Sequence, residues 1–271
     1  NQLKQVETLG YAEGLYFGVS AIMLNTTLPK LADVEMRQAL NYALNREVIV
    51  DVVRSGYAIP AYSAFSPAVY GYNEELDQIG YGYDPDKTKE LIEGLGYTLN
   101  ADGFYEKDGE VLTFKLNTMG TAESAVKLAE VVQQQYKEVG INAEINMMEF
   151  GMAINALFTA DFELSLMDFG MPNASILGLI FGQQGAGGAF FGGLEGMEEV
   201  YPLVDGVTTI IDPDAWMENV REAQKAIIVD KALIVPIFVP KQYLFYSNAL
   251  SDVVYSLETE TVLNNAYFIQ E

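Results

Sequence analysis

The feature that most constrains this chain is a run of alternating periods between residues 110 and 167. VLTFKL at 111–116 has the apolar, β-branched character of a strand. From Thr121, residues Ala125, Leu128, Ala129, Val132 and Tyr136 recur at helical spacing, and Gly140 closes the run. Ile141, Ala143, Ile145 and Met147 then alternate as a half-buried strand. A short helix is expected over 151–159, and Phe162, Leu164 and Leu166 alternate again. Strand, helix, strand, helix, strand requires crossovers and implies a largely parallel sheet. The expected fold class is therefore α/β, with a mixed, largely parallel sheet and helices on both faces.

The flanking segments fit that frame. Residues 15–25, LYFGVSAIMLN, read as a buried strand. Asp33 can cap a helix from Val34, and Asn45 a second one that stops at Gly56. Asp84-Pro85 and Asp212-Pro213 each combine a cap with proline at the first helical position. DGFYEKDGE at 102–110 reads as a hairpin turn, and LIVPIFVP at 233–240 as a strand. The YLFYSNALSDVVYS stretch that follows has strand character. Residues 168–196 break the pattern, with seven glycines between 182 and 196. No repeat or linker divides the 271 residues, and no apolar run reaches the ~18 residues of a membrane span.

Composition removes whole classes of function. The chain has no His and no Cys, which excludes Ser-His-Asp and Cys-His catalysis, thiol redox chemistry and imidazole or thiolate metal sites. No cofactor is expected. Fifteen basic against 38 acidic residues give a net charge of −23, so nucleic acid is not a partner. The charge is also localised. Residues 138–220 hold 13 acids and no base. Such a span is either a solvated face or an acidic cleft that attracts cations.

Three motifs could carry chemistry. The glycine-rich segment lacks the G-K-[ST] of a P-loop and the G-x-G-x-x-G of a dinucleotide fold, so it reads as a surface loop or a ligand-approaching one. Asp161, Glu163 and Asp168 could supply a glycosidase pair, or be strand-end surface acids. Tyr57, Tyr62, Phe65, Tyr70 and Tyr72 fall in an irregular stretch, where aromatics either anchor a loop or line a cleft.

The run DVEMRQALNYALNREVIVDVVRSGYAIPA at 33–61 resembles the signature of the solute-binding proteins of peptide and nickel ABC importers. YDPDKTKELIEGLGY (83–97), DGFYEKDGEVLTFKL (102–116), AEVVQQQYKEVGINAEI (129–145), DFELSLMDFG (161–170) and the stretch from Asp212 through ALIVPIF follow in the family's order. The resemblance implies one lobe of a type II periplasmic-binding-protein fold. It implies a single C-terminal lobe over 1–271, with 1–25 and 237–271 as hinge or inter-lobe segments. Asn1, with no Met or leader before it, is then expected to begin a mature form or an excised fragment.

The implied function is capture of oligopeptides in a cleft between two lobes, and delivery to ABC permease subunits. An oligosaccharide ligand is the alternative, weakened by the single Trp216; a carboxylate hydrolase is the rival class. The implied location is extracytoplasmic and bacterial, periplasmic or lipid-anchored, and the implied full-length state is a monomer. In peptide-binding relatives an acid just after the strand matching FELSLMDF holds the ligand's ammonium. Here that region reads DFGMPNASILG, and Asp168 is its nearest carboxylate. The expected ligand-binding residues are Asp168, Phe169, Gly170, Met171 and Asn173, with Tyr62 and Phe65 from the aromatic stretch.

Overall fold

The computed structural model describes residues 3–120, 122–170, 172–254 and 266–268. In chain order the principal elements are β1 (Leu9–Leu15), β2 (Val19–Leu24), α1 (Val34–Tyr42), α2 (Arg46–Arg54), β3 (Ala58–Pro60), α3 (Pro85–Gly94), β4 (Thr113–Met119) and α4 (Glu123–Glu138). Then follow β5 (Asn142–Met148), α5 (Phe150–Phe158), β6 (Leu164–Phe169), α6 (Ile176–Phe181), α7 (Met197–Thr209), α8 (Pro213–Lys225) and β7 (Ile234–Ser247).

The sheet is mixed, with order β1-β7-β2-β6-β4-β5 and β3 paired to β7. Its parallel part is the segment whose alternation stands out in the sequence: β4 pairs in parallel with both β5 and β6. The strands from the two chain ends add antiparallel pairs, β2 to β6, β7 to β2 and β1 to β7. Parallel character is thus confined to the part built by helical crossovers.

Strand period two divides the core into two halves. Ile22, Leu24, Phe114, Leu116, Leu164 and Leu166 pack on one face, under α1, α2 and α4. Val19, Ala21, Met23 and Phe169 pack on the other, under α5–α8. Helices therefore cover both faces, as expected.

Local chemistry sets the element ends. Asn45 Oδ1 accepts from Val48 N at 3.1 Å, Asp84 Oδ1 from Lys87 N at 2.8 Å, and Asp212 Oδ1 from Ala215 N at 2.9 Å. Asp33 precedes α1 but makes no side-chain cap bond. α2 stops one residue earlier than expected, at Ser55 in the left-handed region. Asp108-Gly109, with φ of 55° and 82°, forms the tight turn between strands Tyr105–Lys107 and Glu110–Val111. α4 begins at Glu123; Thr121 lies outside the described residues.

Two guanidinium groups are buried with no ion pair among the described residues. Arg46 donates to the carbonyls of Pro236 (2.7 Å) and Tyr81 (2.8 Å), and Arg37 to those of Leu31, Ala32 and Lys231. Burial lowers the pKa of each to about 10. These bonds tie α1 and α2 to the strand β7 and the turn before it.

The glycine-rich segment is not a plain surface loop. It contains α6 and a single turn at Gly187–Phe190, packed through buried Phe181, Phe190 and Phe191. A Cβ at Gly187 would lie 2.3 Å from the Ile180 carbonyl oxygen, so glycine permits this close packing. The aromatic stretch also resolves. Tyr70 stacks on Trp216 at 5.4 Å, the Tyr72 hydroxyl donates to Asp77, Tyr57 packs edge-on to Tyr243, and Phe65 is buried. These are anchors.

β7 is longer than one sheet needs. Its first half, Ile234–Phe238, is buried beside β2, whereas Lys241–Ser247 pairs with β1 and is mostly half-buried. β1 and the end of β7 form a two-stranded ribbon. The short pair Leu250–Ser251 with Tyr267–Phe268 follows it.

Candidate functional site

The carboxyl ends of β4 and β6 lie at the same edge of the sheet because the two strands are parallel. The chain leaves β4 for α4 on one face and leaves β6 for α6 on the other. A crevice opens where connections diverge in this way, and it is the usual ligand position of open α/β sheets. Two cavities lie there, one on each face of the end of β6.

The first, of about 270 Å³, is lined by Ser20, Arg54, Thr118, Ser124, Asp168 and Phe238 among others. Register explains the grouping. Ser20 stands opposite Asp168 on one side and opposite Phe238 on the other, and Thr118 opposite Leu166. Asp168 is exposed, and the Ser20 hydroxyl donates a hydrogen bond to Oδ1. The Arg54 guanidinium lies over the Phe238 ring, 5.6 Å from its centroid.

The second cavity, of about 300 Å³, is apolar. Ile154, Leu157, Phe158, Phe169, Leu179 and Ile180 line it, with Asp168 and Gly170 at its rim. Phe158 and Leu179 are 60% and 51% exposed, so an apolar surface is open to solvent at this edge. Gly170 is required by close approach, since a Cβ there would meet the Gly18 Cα at 2.4 Å.

Of the seven residues expected to bind ligand, Asp168, Phe169 and Gly170 come together at this edge. Phe169 is 6% exposed and packs edge-on against Phe181, so it serves the core and the cavity wall together. Met171 lies outside the described residues. Asn173 is exposed, and its Oδ1 accepts from Ser175 N and Oγ, which makes it a turn residue in this structure. Tyr62 lies against the Arg46 guanidinium, 5.1 Å away, and Phe65 is a core residue; neither lines the two cavities. Arg54 and Thr118 were not legible as site residues, because one ends a helix pattern and the other sits in a strand pattern. Only the crossover geometry brings them to Asp168.

The acidic span faces solvent. Of its 13 acids, Asp168 is the one that lines either cavity. Glu149 and Asp212 cap helices, and Glu163 pairs with Lys30 at 2.7 Å. Asp161 and Glu163 precede β6, at its opposite end from Asp168. Among the described residues no second acid lines either cavity with Asp168, as a glycosidase pair requires.

Residues 1–183 match the sequence profile of the bacterial extracellular solute-binding proteins, family 5, middle region. The chain belongs to this family. Family 5 proteins bind solutes and are not enzymes, which removes the hydrolase reading. The oligopeptide-binding protein OppA of Bacillus subtilis is 28% identical over 253 residues, covering 93% of this chain and 45% of that protein. The nickel-binding periplasmic protein of Escherichia coli is 32% identical over 125 residues, 46% of this chain and 24% of that one.

The family 5 fold extends along nearly the whole chain. The oligopeptide-binding protein AppA of Bacillus subtilis, solved with a nonapeptide, superposes with a TM-score of 0.79 at 22% identity, covering 98% of this chain and 54% of that one. NikA of Brucella suis, solved with Fe(III)-EDTA, gives 0.86 at 19% identity, covering 99% and 54%. These likenesses establish a type II periplasmic-binding-protein lobe. The chain spans about half the length of the relatives it matches. No described helix is long and apolar enough to cross a membrane.

Proposed function

We propose that this chain is the C-terminal lobe of an extracytoplasmic solute-binding protein that captures peptides for an ABC importer and delivers them to its permease subunits. The ribbon of β1 and the end of β7 supports the assignment of the two chain ends to the hinge. It leaves the sheet from the edge that carries the cavities, where β2 begins and the buried half of β7 ends. Closure of a second lobe on this edge would enclose the ligand.

The observation that carries the peptide reading is the position of Asp168. It is the carboxylate that lines both cavities at the carboxyl edge of the sheet. A peptide's terminal ammonium on Asp168, beside an apolar side chain in the second cavity, uses both. The test is native mass spectrometry of the full-length protein as purified from its host. The expected result is a bound species that fragments as a peptide. A bound sugar or a metal chelate would contradict the reading.

A further inference from the structure

We propose that Arg54 is the anion-accepting arm of this site, so that the first cavity selects short peptides with a free carboxylate. This rests on the peptide reading above. Arg54 closes α2, where positive charge is favoured by the helix dipole, and its guanidinium reaches the cavity along the Phe238 ring. It makes no ion pair and no side-chain hydrogen bond among the described residues, unlike the buried Arg37 and Arg46, whose donors are engaged.

A second group points the same way. Thr118 lines the same cavity, and its hydroxyl has no hydrogen-bond partner among the described residues. A hydroxyl left free on a cavity wall can donate to or accept from a ligand. Ser124 adds a further hydroxyl at the first turn of α4, whose amino end favours negative charge.

Asp168 lines this cavity too, yet it forms no ion pair with Arg54 within 4.0 Å among the described residues. Opposite charges that share a cavity without touching leave room for a dipolar ligand between them. Both lie on about 270 Å³, so a ligand that meets both is short. Arg54 thus sets specificity for the far end of the ligand, and Asp168 for the near end.

Calorimetry of the full-length protein with leucyl-leucine, its C-terminal amide and its N-acetyl form tests the assignment. In the wild type, amidation should weaken binding about ten- to a hundredfold, the worth of a charge-assisted pair. In Arg54→Met the acid and the amide should bind alike while the N-acetyl penalty remains. Arg54→Lys, which keeps the charge and loses the planar fork, should retain part of the preference. An unchanged acid-to-amide ratio in Arg54→Met would overturn the assignment and leave the peptide reading standing. Loss of that ratio in Arg54→Met, with no N-acetyl penalty in the wild type, would support Arg54 and refute Asp168 as the ammonium site. Failure of all three forms to bind would overturn both.

Discussion

Asn45 and Asp33 look alike in sequence, since each is a short polar residue before a helical pattern. Asn45 accepts from Val48 N, whereas Asp33 makes no side-chain cap bond. The backbone N–H of Asn45 also donates to Gln135 Oε1 at 2.8 Å, which fixes its backbone from α4. Asn45→Ala should therefore lower stability by about 1 kcal/mol, read as a shift of the urea midpoint at unchanged slope. Asp33→Ala should change it by much less. Asp168 shows the same dependence on context. The family resemblance of its segment points to a ligand role, and the register that sets Ser20 beside it and the crossover that brings Arg54 give it two cavities.

At the scale of elements, what was legible follows the range of the interactions. β4, α4, β5, α5 and β6 are each announced by their own periodicity, and the cap-proline pairs announce α3 and α8. Pairing between distant strands is not local. Antiparallel addition of β2 and β7 to the parallel segment has no sequence signal short of the family resemblance. α7 was missed because Pro202 lies inside it and Gly206 near its end. Gly206 is needed where Asn219 of α8 packs, since a Cβ would lie 2.6 Å from Asn219 Oδ1. Asn219 in turn donates to the Leu203 carbonyl at 2.7 Å. The surface-loop reading of the glycine-rich segment failed for a related reason: its glycines serve close packing of buried turns, which composition alone reads as a loop. The site was half legible, through the residues that end β6, while its other half came from α2, β4 and α4.

At the scale of the whole molecule, the charge and the titrating groups act in different places. The acids of the base-free span lie on the solvated face, where they favour solubility. The largest pKa displacements belong to tyrosines and arginines taken out of water. Burial raises Tyr81 and Tyr105 to about 12, the latter helped by its bond to Glu93, and also raises Tyr72 and Tyr136. A tyrosine that keeps its proton in the fold but loses it near pH 10 when unfolded stabilises the fold fully below pH 10. That contribution is lost as the pH rises through about 12. Arg37 and Arg46, lowered to about 10, act oppositely over the same range, but they are two against seven raised tyrosines among the described residues. Stability should therefore fall between pH 10 and 12, with tyrosinate absorbance appearing together with loss of circular dichroism. Tyrosinate absorbance complete at pH 10 with the fold intact would refute it.

The central claim is that ligand is held at the carboxyl edge of β6 through Asp168. Calorimetry of full-length wild-type and Asp168→Asn protein, with a free and an N-acetylated peptide, tests it most directly. Asp168 is exposed on its strand, so its removal should leave the fold intact. The account predicts that acetylation weakens the wild type about tenfold or more and that Asp168→Asn binds both forms as weakly as the wild type binds the acetylated one. Equal preference for the free peptide in both proteins would contradict it.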